Sequence, residues 1–211
     1  MKVCEIFRSI QGESSFAGLP CAFIRLSGCN LRCAYCDTVY ARDEGVELSE
    51  EEIINELSLI GCGLVEITGG EPLVQEGALH LIERLCNDGL TVLLETNGSL
   101  SIKDVDRRAV IILDIKTPGS GMTAEMDLMN LDYIKPSDEV KFVLVDRADY
   151  EWARDFIARH ALLGRCKVLL SPAFGVLDAA ELCGWMLRDR LEARLNLQLH
   201  KYIFGPDKRG V

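Results

Sequence analysis

Short apolar runs alternate along the chain with longer stretches whose apolar residues recur every three or four positions. The runs rich in Val, Ile, Leu and Phe predict strands at 3–7, 21–27, 64–68, 91–96, 109–116, 139–145, 166–171 and 193–200. The helical period predicts helices at 49–60, 77–88, 147–163 and 177–190, and a short one near 102–108. Strands that alternate with helices in this way form βαβ units, which predict a parallel sheet.

Local signals indicate where some of these helices begin and end. Ser49 and Glu52 form a capping box at the start of the first helix, and Gly61 follows its end. Asp146 is the expected N-cap of the helix at 147–163, because its side chain can accept a backbone hydrogen bond from the first turn.

The number of predicted strands limits the architecture. About six or seven parallel strands follow the first loop, whereas a complete eight-unit (β/α) barrel takes about 250 residues. The chain has 211 residues. The sequence therefore predicts an α/β fold, a partial, open (β/α) barrel of about six parallel strands, in one domain spanning 1–211. In such barrels, ligands bind at the carboxyl ends of the strands.

Charge and apolar runs exclude some classes of protein. The formal net charge is −10, which repels a phosphate backbone and argues against a nucleic-acid partner. No apolar run approaches the roughly 18 residues of a membrane span, and the first residues lack the apolar region of a signal peptide. These features predict a cytoplasmic protein with no membrane partner.

Three of the nine cysteines lie in one short segment, at Cys29, Cys33 and Cys36. Reducing compartments disfavour disulfides, so this CxxxCxxC spacing favours a metal site. A [4Fe-4S] cluster ordinarily takes four cysteines, and three would leave one iron free to bind another group. The alternatives are a zinc site, which would want a fourth nearby Cys or His, and three unligated core cysteines. The other cysteines are predicted to be small apolar core residues.

Polar or glycine-rich sequence follows nearly every predicted strand, at 68–71, 95–98, 114–116, 171–174 and His200. Gly69 and Gly70 would let the backbone approach a bound group closely, or would form an ordinary strand-to-helix turn. Lys116 is either a surface lysine or a contact for an anionic ligand. Arg25 lies in an apolar strand and faces either solvent or the ligand chamber, where a guanidinium would suit a carboxylate.

Longer motifs extend over the whole chain: IFRSIQGES at 6–14, FIRLSGCNLRCAYCDT at 23–38, TGGEP at 68–72, ETNG at 95–98 and HKYIFGPDKRGV at 200–211. Together they resemble the 7-carboxy-7-deazaguanine synthase family of the radical S-adenosylmethionine (SAM) superfamily. The resemblance implies a lyase of queuosine or 7-deazapurine biosynthesis. It would convert 6-carboxy-5,6,7,8-tetrahydropterin to 7-carboxy-7-deazaguanine with release of ammonia, by way of a 5′-deoxyadenosyl radical.

The resemblance also implies partners and ligand contacts. The enzyme would be a homodimer that uses a [4Fe-4S] cluster, SAM and Mg²⁺ and takes electrons from a flavodoxin or ferredoxin. The metal ligands would be Cys29, Cys33 and Cys36 for the cluster and Thr38 for magnesium. The pterin would contact Ile10, Gln11, Gly12, Arg25 and Thr68. SAM would contact Tyr35, Cys36, Asp37, Gly70, Asp114, Ile115, Lys116, Ser171, Pro172, Ala173 and Phe174.

Some features leave questions open. Ser14 stands where family members often have glycine, and DIK occupies 114–116 where many have Ser-Pro-Lys. No catalytic residue is assigned, and the roles of Glu13, His200 and the Val211 carboxylate stay open. Two other functions would share the cysteine motif: an enzyme that makes a glycyl radical on a partner protein, and a zinc-stabilised interaction module. The first leaves the QGE segment unexplained.

Overall fold

The computed structural model describes residues 1–211. Its strands are β1 (Lys2–Ile10), β2 (Pro20–Leu26), β3 (Val46–Glu47), β4 (Leu64–Gly69), β5 (Thr91–Thr96), β6 (Val110–Asp114), β7 (Glu139–Leu144), β8 (Lys167–Pro172) and β9 (Arg194–Leu195). Its α-helices are α1 (Glu50–Ile60), α2 (Gly77–Asn87), α3 (Arg147–Arg159), α4 (Ala179–Asp189) and α5 (Leu199–Phe204). None of these helices combines the length and the apolar character needed to cross a membrane.

All the strands form one sheet in the order β3-β1-β2-β4-β5-β6-β7-β8-β9. Neighbours from β2 to β9 are parallel, whereas β1 pairs with β2 and β3 in the antiparallel sense. The parallel strands have five to seven residues each, except β9, which has two. Because β3 and β9 are the edges of this sheet and do not pair with each other, the prediction of a partial, open barrel is confirmed.

The two faces of the sheet have different surroundings, because successive side chains of a strand point to opposite sides. Ile24 of β2 and Ile67 of β4 belong to a core of 36 buried residues between the sheet and the helices. The inner face holds a smaller apolar cluster of Cys21, Phe23, Leu64, Leu93 and Ile112. Since Cys21 and Leu64 lie at the starts of their strands, this cluster fills the amino end of the interior and leaves the carboxyl end for ligands.

The predicted helix caps are confirmed. Ser49 Oγ accepts a hydrogen bond from Glu52 N (3.3 Å), and Glu52 Oε2 accepts one from Ser49 N (2.7 Å). Gly61 ends α1 in the left-handed conformation with φ of 63°. Asp146 Oδ1 accepts a hydrogen bond from Asp149 N at the start of α3 (2.9 Å).

Two predicted helices are wrong in part or in whole. Residues 102–108 form turns, because the side chain of Asp106 binds the backbone N–H and the guanidinium of Arg108 and so competes with helical hydrogen bonds. Helix α3 ends at Arg159 rather than at residue 163, since Ala161 adopts a positive φ of 50°.

The predicted strand at 193–200 is also wrong over most of its length. Its pairing is limited to Arg194 and Leu195, which lie beside Leu169 and Leu170 of β8. The chain then turns into α5, where Leu199 N donates to Gly12 O (2.8 Å). His200 therefore lies on a short helix and not at a strand end.

The prediction that the remaining cysteines are core residues is correct for only two of them. Cys21 and Cys86 are buried. The other four are partly exposed: Cys4, Cys62, Cys166 and Cys183. All nine cysteines are free thiols.

Candidate functional site

A cavity of about 560 Å³ opens at the carboxyl ends of the parallel strands. Its strand residues include Arg25 of β2, Thr68 of β4, Glu95 of β5, Asp114 of β6, Lys141 of β7 and Ser171 of β8. Polar side chains therefore converge above the apolar cluster that fills the amino end of the sheet. This is the position at which parallel barrels bind their ligands.

The loop after β2 brings three thiols to one wall of the cavity. Cys29, Cys33 and Cys36 all line it. Leu31 N donates a hydrogen bond to Cys29 Sγ (3.4 Å), and the side-chain amide of Asn97 lies 3.9 Å from the same sulfur. Donors placed around sulfur suit a metal-bound thiolate, whose charge they partly offset.

The segment after β6 braces this cysteine loop. Ala34 N donates to Ser120 O (3.0 Å). The segment is held in turn by Asp149 of α3, a buried carboxyl that accepts hydrogen bonds from Thr117 Oγ1 (2.9 Å) and Gly119 N (2.8 Å). Helix α3 therefore holds the segment after β6, and that segment holds the cysteine loop that lines the cavity.

Gly69 and Gly70 permit close contact between the TGGEP segment and the chain around the cysteine loop. A side chain on Gly69, which has φ of 139°, would overlap the backbone of Leu26. One on Gly70 would overlap the carbonyl group of Gly28. These two glycines therefore allow two ligand loops to pack on each other.

Glu71 joins the TGGEP segment to the ETNG segment. It is fully buried, with 0% exposure. It accepts hydrogen bonds from Leu73 N (3.0 Å), Thr96 Oγ1 (2.8 Å) and Asn97 N (2.6 Å). Burial raises the pKa of this carboxyl, although the three donors oppose that effect.

Buried lysines balance the acidic groups of the interior. Lys141 contacts Glu95, lies 3.2 Å from Glu13 and 3.8 Å from Asp114. Lys116 lies 2.8 Å from Asp114. Burial alone would raise the pKa of Glu95, but the ammonium groups of Lys141 and Lys116 and the hydrogen bond from Thr68 together hold it below its usual value. Glu95 is therefore ionised at neutral pH.

Glu66, on the inner face of β4, has a different environment. Its carboxyl accepts a hydrogen bond from the Gln11 side chain and forms no ion pair. Burial and the neighbouring Glu95 raise its pKa well above the usual value, because both disfavour a second negative charge. The cavity thus contains two nearby carboxyls with opposite pKa shifts.

The mouth of the cavity is formed by α5 and the C-terminal residues. Lys201 contacts Asp37, and this cation holds the Asp37 pKa below its usual value against the opposing effect of burial. His200 packs so closely on Gly12 that a side chain there would overlap its ring. Burial lowers the pKa of His200, so its imidazole is neutral at pH 7.

Comparisons with known proteins agree with this geometry. The Radical SAM superfamily profile matches residues 23–157. The chain is 48% identical over 214 residues to 7-carboxy-7-deazaguanine synthase of Chlorobaculum tepidum, covering 100% of this chain and 97% of that protein. It is 47% identical to the Koribacter versatilis protein of the same name, with 100% of each covered. The chain belongs to the 7-carboxy-7-deazaguanine synthase family.

The fold agrees with this membership. The crystal structure of QueE from Escherichia coli superposes with a TM-score of 0.75 at 25% identity, over 94% of each chain.

As a radical SAM protein, the chain uses a [4Fe-4S] cluster and SAM, and its thiols fit that cluster. Cys29, Cys33 and Cys36 are the only cysteines that line the cavity, so no fourth cysteine closes the site. No three His, Cys, Asp or Glu side chains are placed to hold one metal ion. A cluster makes no such demand, because each thiolate binds a separate iron.

Nearly all the residues predicted to contact ligands in this family line the one cavity. They include Ile10, Gln11, Gly12 and Arg25 from the amino-terminal part and residues 171–174 at the carboxyl end of β8. Ile115 is the one predicted contact residue that does not line the cavity. Its side chain is 1% exposed within the hydrophobic core, so only its backbone is available to a ligand.

Sequence reasoning missed several residues of the cavity, notably Glu66, Lys141 and Lys201. Glu66 and Lys141 are charged residues inside apolar strands, which is the same signal that singled out Arg25. Lys201 gives no such signal, because its burial and its contact with Asp37 depend on where α5 packs.

Proposed function

We propose that the chain is an active 7-carboxy-7-deazaguanine synthase, a carbon–nitrogen lyase. It would convert 6-carboxy-5,6,7,8-tetrahydropterin to 7-carboxy-7-deazaguanine with release of ammonia, for queuosine or other 7-deazapurine biosynthesis. The observation that supports this best is the placement of three thiols on the wall of one cavity whose interior carries paired charges. The full-length similarity to relatives of that name supports the same substrate.

When bound, the cluster and SAM would supply radical chemistry for removal of a hydrogen atom from C6 of the pterin. The chain would orient both ligands and keep water away from them. Cys29, Cys33 and Cys36 would hold three irons. SAM would lie along the loops at 68–71, 114–116 and 171–174, beside Tyr35 and Asp37, all of which reach the same cavity.

Arg25 would bind the carboxylate of the substrate. Its Nε is buried without a hydrogen-bond partner, and Glu5 Oε1 lies 3.6 Å from it. A buried guanidinium with an unused donor is well suited to an anionic oxygen. The Ile10 to Gly12 segment and Thr68 would contact the ring.

Thr38 would ligate Mg²⁺. Its hydroxyl forms no capping hydrogen bond with the turn that follows and lies 4.0 Å from Cys36 Sγ, so it is available to the cavity. Magnesium often keeps several waters and few protein ligands, which a single hydroxyl together with substrate oxygens would satisfy. The ion would orient the pterin and offset its negative charge.

Glu13 would handle the proton exchanged during ammonia loss. It lies at the cavity and accepts hydrogen bonds from Gln198 Nε2 (3.0 Å), Lys141 Nζ (3.2 Å) and Asn196 Nδ2 (3.3 Å). These donors come from β7 and from the segment between β9 and α5, and they fix the Glu13 carboxyl group at the cavity.

The proposal includes two partners. A flavodoxin or ferredoxin would reduce the cluster, and a second copy of the chain would form a homodimer, with residues 1–211 acting as one domain. Light scattering after size exclusion would give twice the mass of 23.4 kDa for the dimer.

The test is an anaerobic incubation of the iron-loaded chain with the carboxytetrahydropterin, SAM, Mg²⁺ and dithionite. We expect 7-carboxy-7-deazaguanine, ammonia and 5′-deoxyadenosine, and about four irons per chain. The Cys33→Ala variant is the matched control and should give none of the three products. Slow SAM cleavage without a deazapurine would contradict the proposed substrate, and a colourless protein with one zinc would contradict the radical chemistry itself.

A further inference from the structure

Glu66 is the buried acidic residue of the cavity for which the function proposed above has no role. It is 4% exposed, yet it forms no ion pair. By contrast, Glu13, Glu95 and Asp114 each lie within 4 Å of a lysine. A carboxyl that is costly to bury and is not neutralised by a cation suggests a ligand contact rather than a structural bond.

Its position is at the floor of the cavity. On β4, Glu66 points to the same side as Thr68 but lies two residues farther from the carboxyl end, between Phe23 of β2 and Leu93 of β5 in the sheet register. Both neighbours belong to the apolar cluster below. A ligand that reacts beside the cysteine loop at the rim would therefore present its far edge to Glu66.

Gln11 holds the Glu66 carboxyl in one orientation. The Gln11 side-chain N–H donates to Glu66 Oε2, while its own carbonyl oxygen accepts from Glu13 N (3.0 Å). The Gln11 backbone is fixed as well, through hydrogen bonds with Leu19 O and Gly18 N, each 2.7 Å long. Glu66 Oε1 has no partner in the chain and is left for a ligand.

We propose that Glu66 determines substrate specificity: its carboxyl group, oriented by Gln11, hydrogen-bonds the 2-amino edge of the pterin ring at the floor of the cavity. This inference rests on the proposed function, which supplies the pterin. The ring would then be held at both ends, with its carboxylate at Arg25 and its amino edge at Glu66.

The protonation state of Glu66 suits this contact. Burial and Glu95 raise the pKa of this carboxyl, which favours its protonated form. Protonated on Oε1, it offers an O–H donor, and Oε2, which accepts from Gln11, has a second lone pair that can accept from an amino group. The pterin edge offers the complementary pair, a ring nitrogen acceptor next to an amino donor. A glutamine would preserve that pattern, whereas methionine would remove it and aspartate would shorten its reach.

The experiment compares two stable probes, 6-carboxypterin and its 2-oxo analogue 6-carboxylumazine, by calorimetric titration of the iron-loaded chain. The wild-type chain should bind the pterin about tenfold more tightly, since one well-formed hydrogen-bonded contact is worth roughly 1.4 kcal/mol at most. Glu66→Met and Glu66→Asp should weaken pterin binding and bring this ratio near one. Glu66→Gln should keep the ratio.

Each other outcome has a defined meaning. An unchanged ratio in the Met and Asp variants, or a wild-type ratio near one, would overturn the role of Glu66. A wild-type chain that binds neither probe would overturn the pterin assignment instead. Dithionite-driven SAM cleavage without substrate serves as the folding control, and because the Asp variant retains a carboxyl, it decides the question if the Met variant does not fold.

Discussion

Glu71 links the TGGEP and ETNG segments, because its buried carboxyl group accepts hydrogen bonds from Leu73, Thr96 and Asn97. In the Glu71→Gln variant, an amide N–H would face the backbone N–H of Asn97. The loss of one buried hydrogen bond and the new clash of donors should cost about 1–3 kcal/mol. Thermal unfolding should shift to lower temperature by about 2–4 °C for each kcal/mol.

The same variant should also bind SAM more weakly, because Glu71 sets the relative position of the TGGEP and ETNG segments. Glu76→Gln, a substitution at an exposed residue nearby, is the control and should leave both measurements unchanged. A stable Glu71→Gln variant with normal SAM affinity would show that Glu71 does not hold the loops together.

Glu66 should make stability depend on pH. Its pKa is raised in the folded chain, while the unfolded value is about 4.3. Below the unfolded pKa both states are protonated. As pH rises from there through the folded pKa, the unfolded state loses this proton first, so the free energy of unfolding falls.

Glu66→Gln removes this dependence. The stability gained by the variant should therefore be near zero at pH 4 and should grow as pH increases, as measured by urea denaturation at a series of pH values. Glu56→Gln, at an exposed helix position, should give no such trend. A gain that shrank with rising pH would mean that Glu66 is ionised in the folded chain.

Helix α1 depends on its capping box more than on interactions along its exposed face. Ser49→Ala removes the hydrogen bond to Glu52 N and should cost about 1 kcal/mol. This corresponds to a decrease of about 2–4 °C in the unfolding midpoint. Ser58→Ala in the same helix is the control. Ser58 Oγ donates only to Ile54 O within the helix, so this substitution should change the midpoint little.

The C-terminal segment 206–211 crosses the mouth of the cavity and lines it. Arg209 fastens it, with its guanidinium 3.5 Å from the centre of the Tyr40 ring and 2.8 Å from Glu44. Arg209→Ala should raise KM for the pterin severalfold at unchanged iron content, because the segment would cover the ligand for less of the time. Arg188→Ala, on exposed α4, is the matched control, and equal KM values in the two variants would contradict the role of Arg209.

At the scale of the whole molecule, the cavity joins loops from six parallel strands, so ligand binding should stabilise the entire fold. SAM at about 100 times its Kd should add about 2.7 kcal/mol, or roughly 5–10 °C, to the iron-loaded chain. Scanning calorimetry with and without SAM measures this change. The triple variant with alanine at 29, 33 and 36 should show no shift. A shift of equal size in that variant would mean that SAM binds independently of the cluster.

The sequence predicted most of the fold because its signals are local. Helical and strand periods, the Ser49 capping box and the cysteine spacing depend only on neighbouring residues. Some predictions failed where distant contacts decided the outcome. The strand predicted at 193–200 is limited to Arg194 and Leu195, because only these two residues pair with β8, and α5 begins at Leu199, whose backbone N–H donates to Gly12 O.

The order of the amino acids is enough to establish the available chemistry: three cluster thiols, the glycines between two loops and the succession of strands and helices that makes a parallel sheet. The tertiary structure alone decided how charges combine. Lys141 is separated from Glu13 by 128 residues and from Glu95 by 46, so no local pattern could pair them. Because pKa values depend on burial and on neighbouring charges, only the folded chain could lower the pKa of Glu95 and raise that of Glu66.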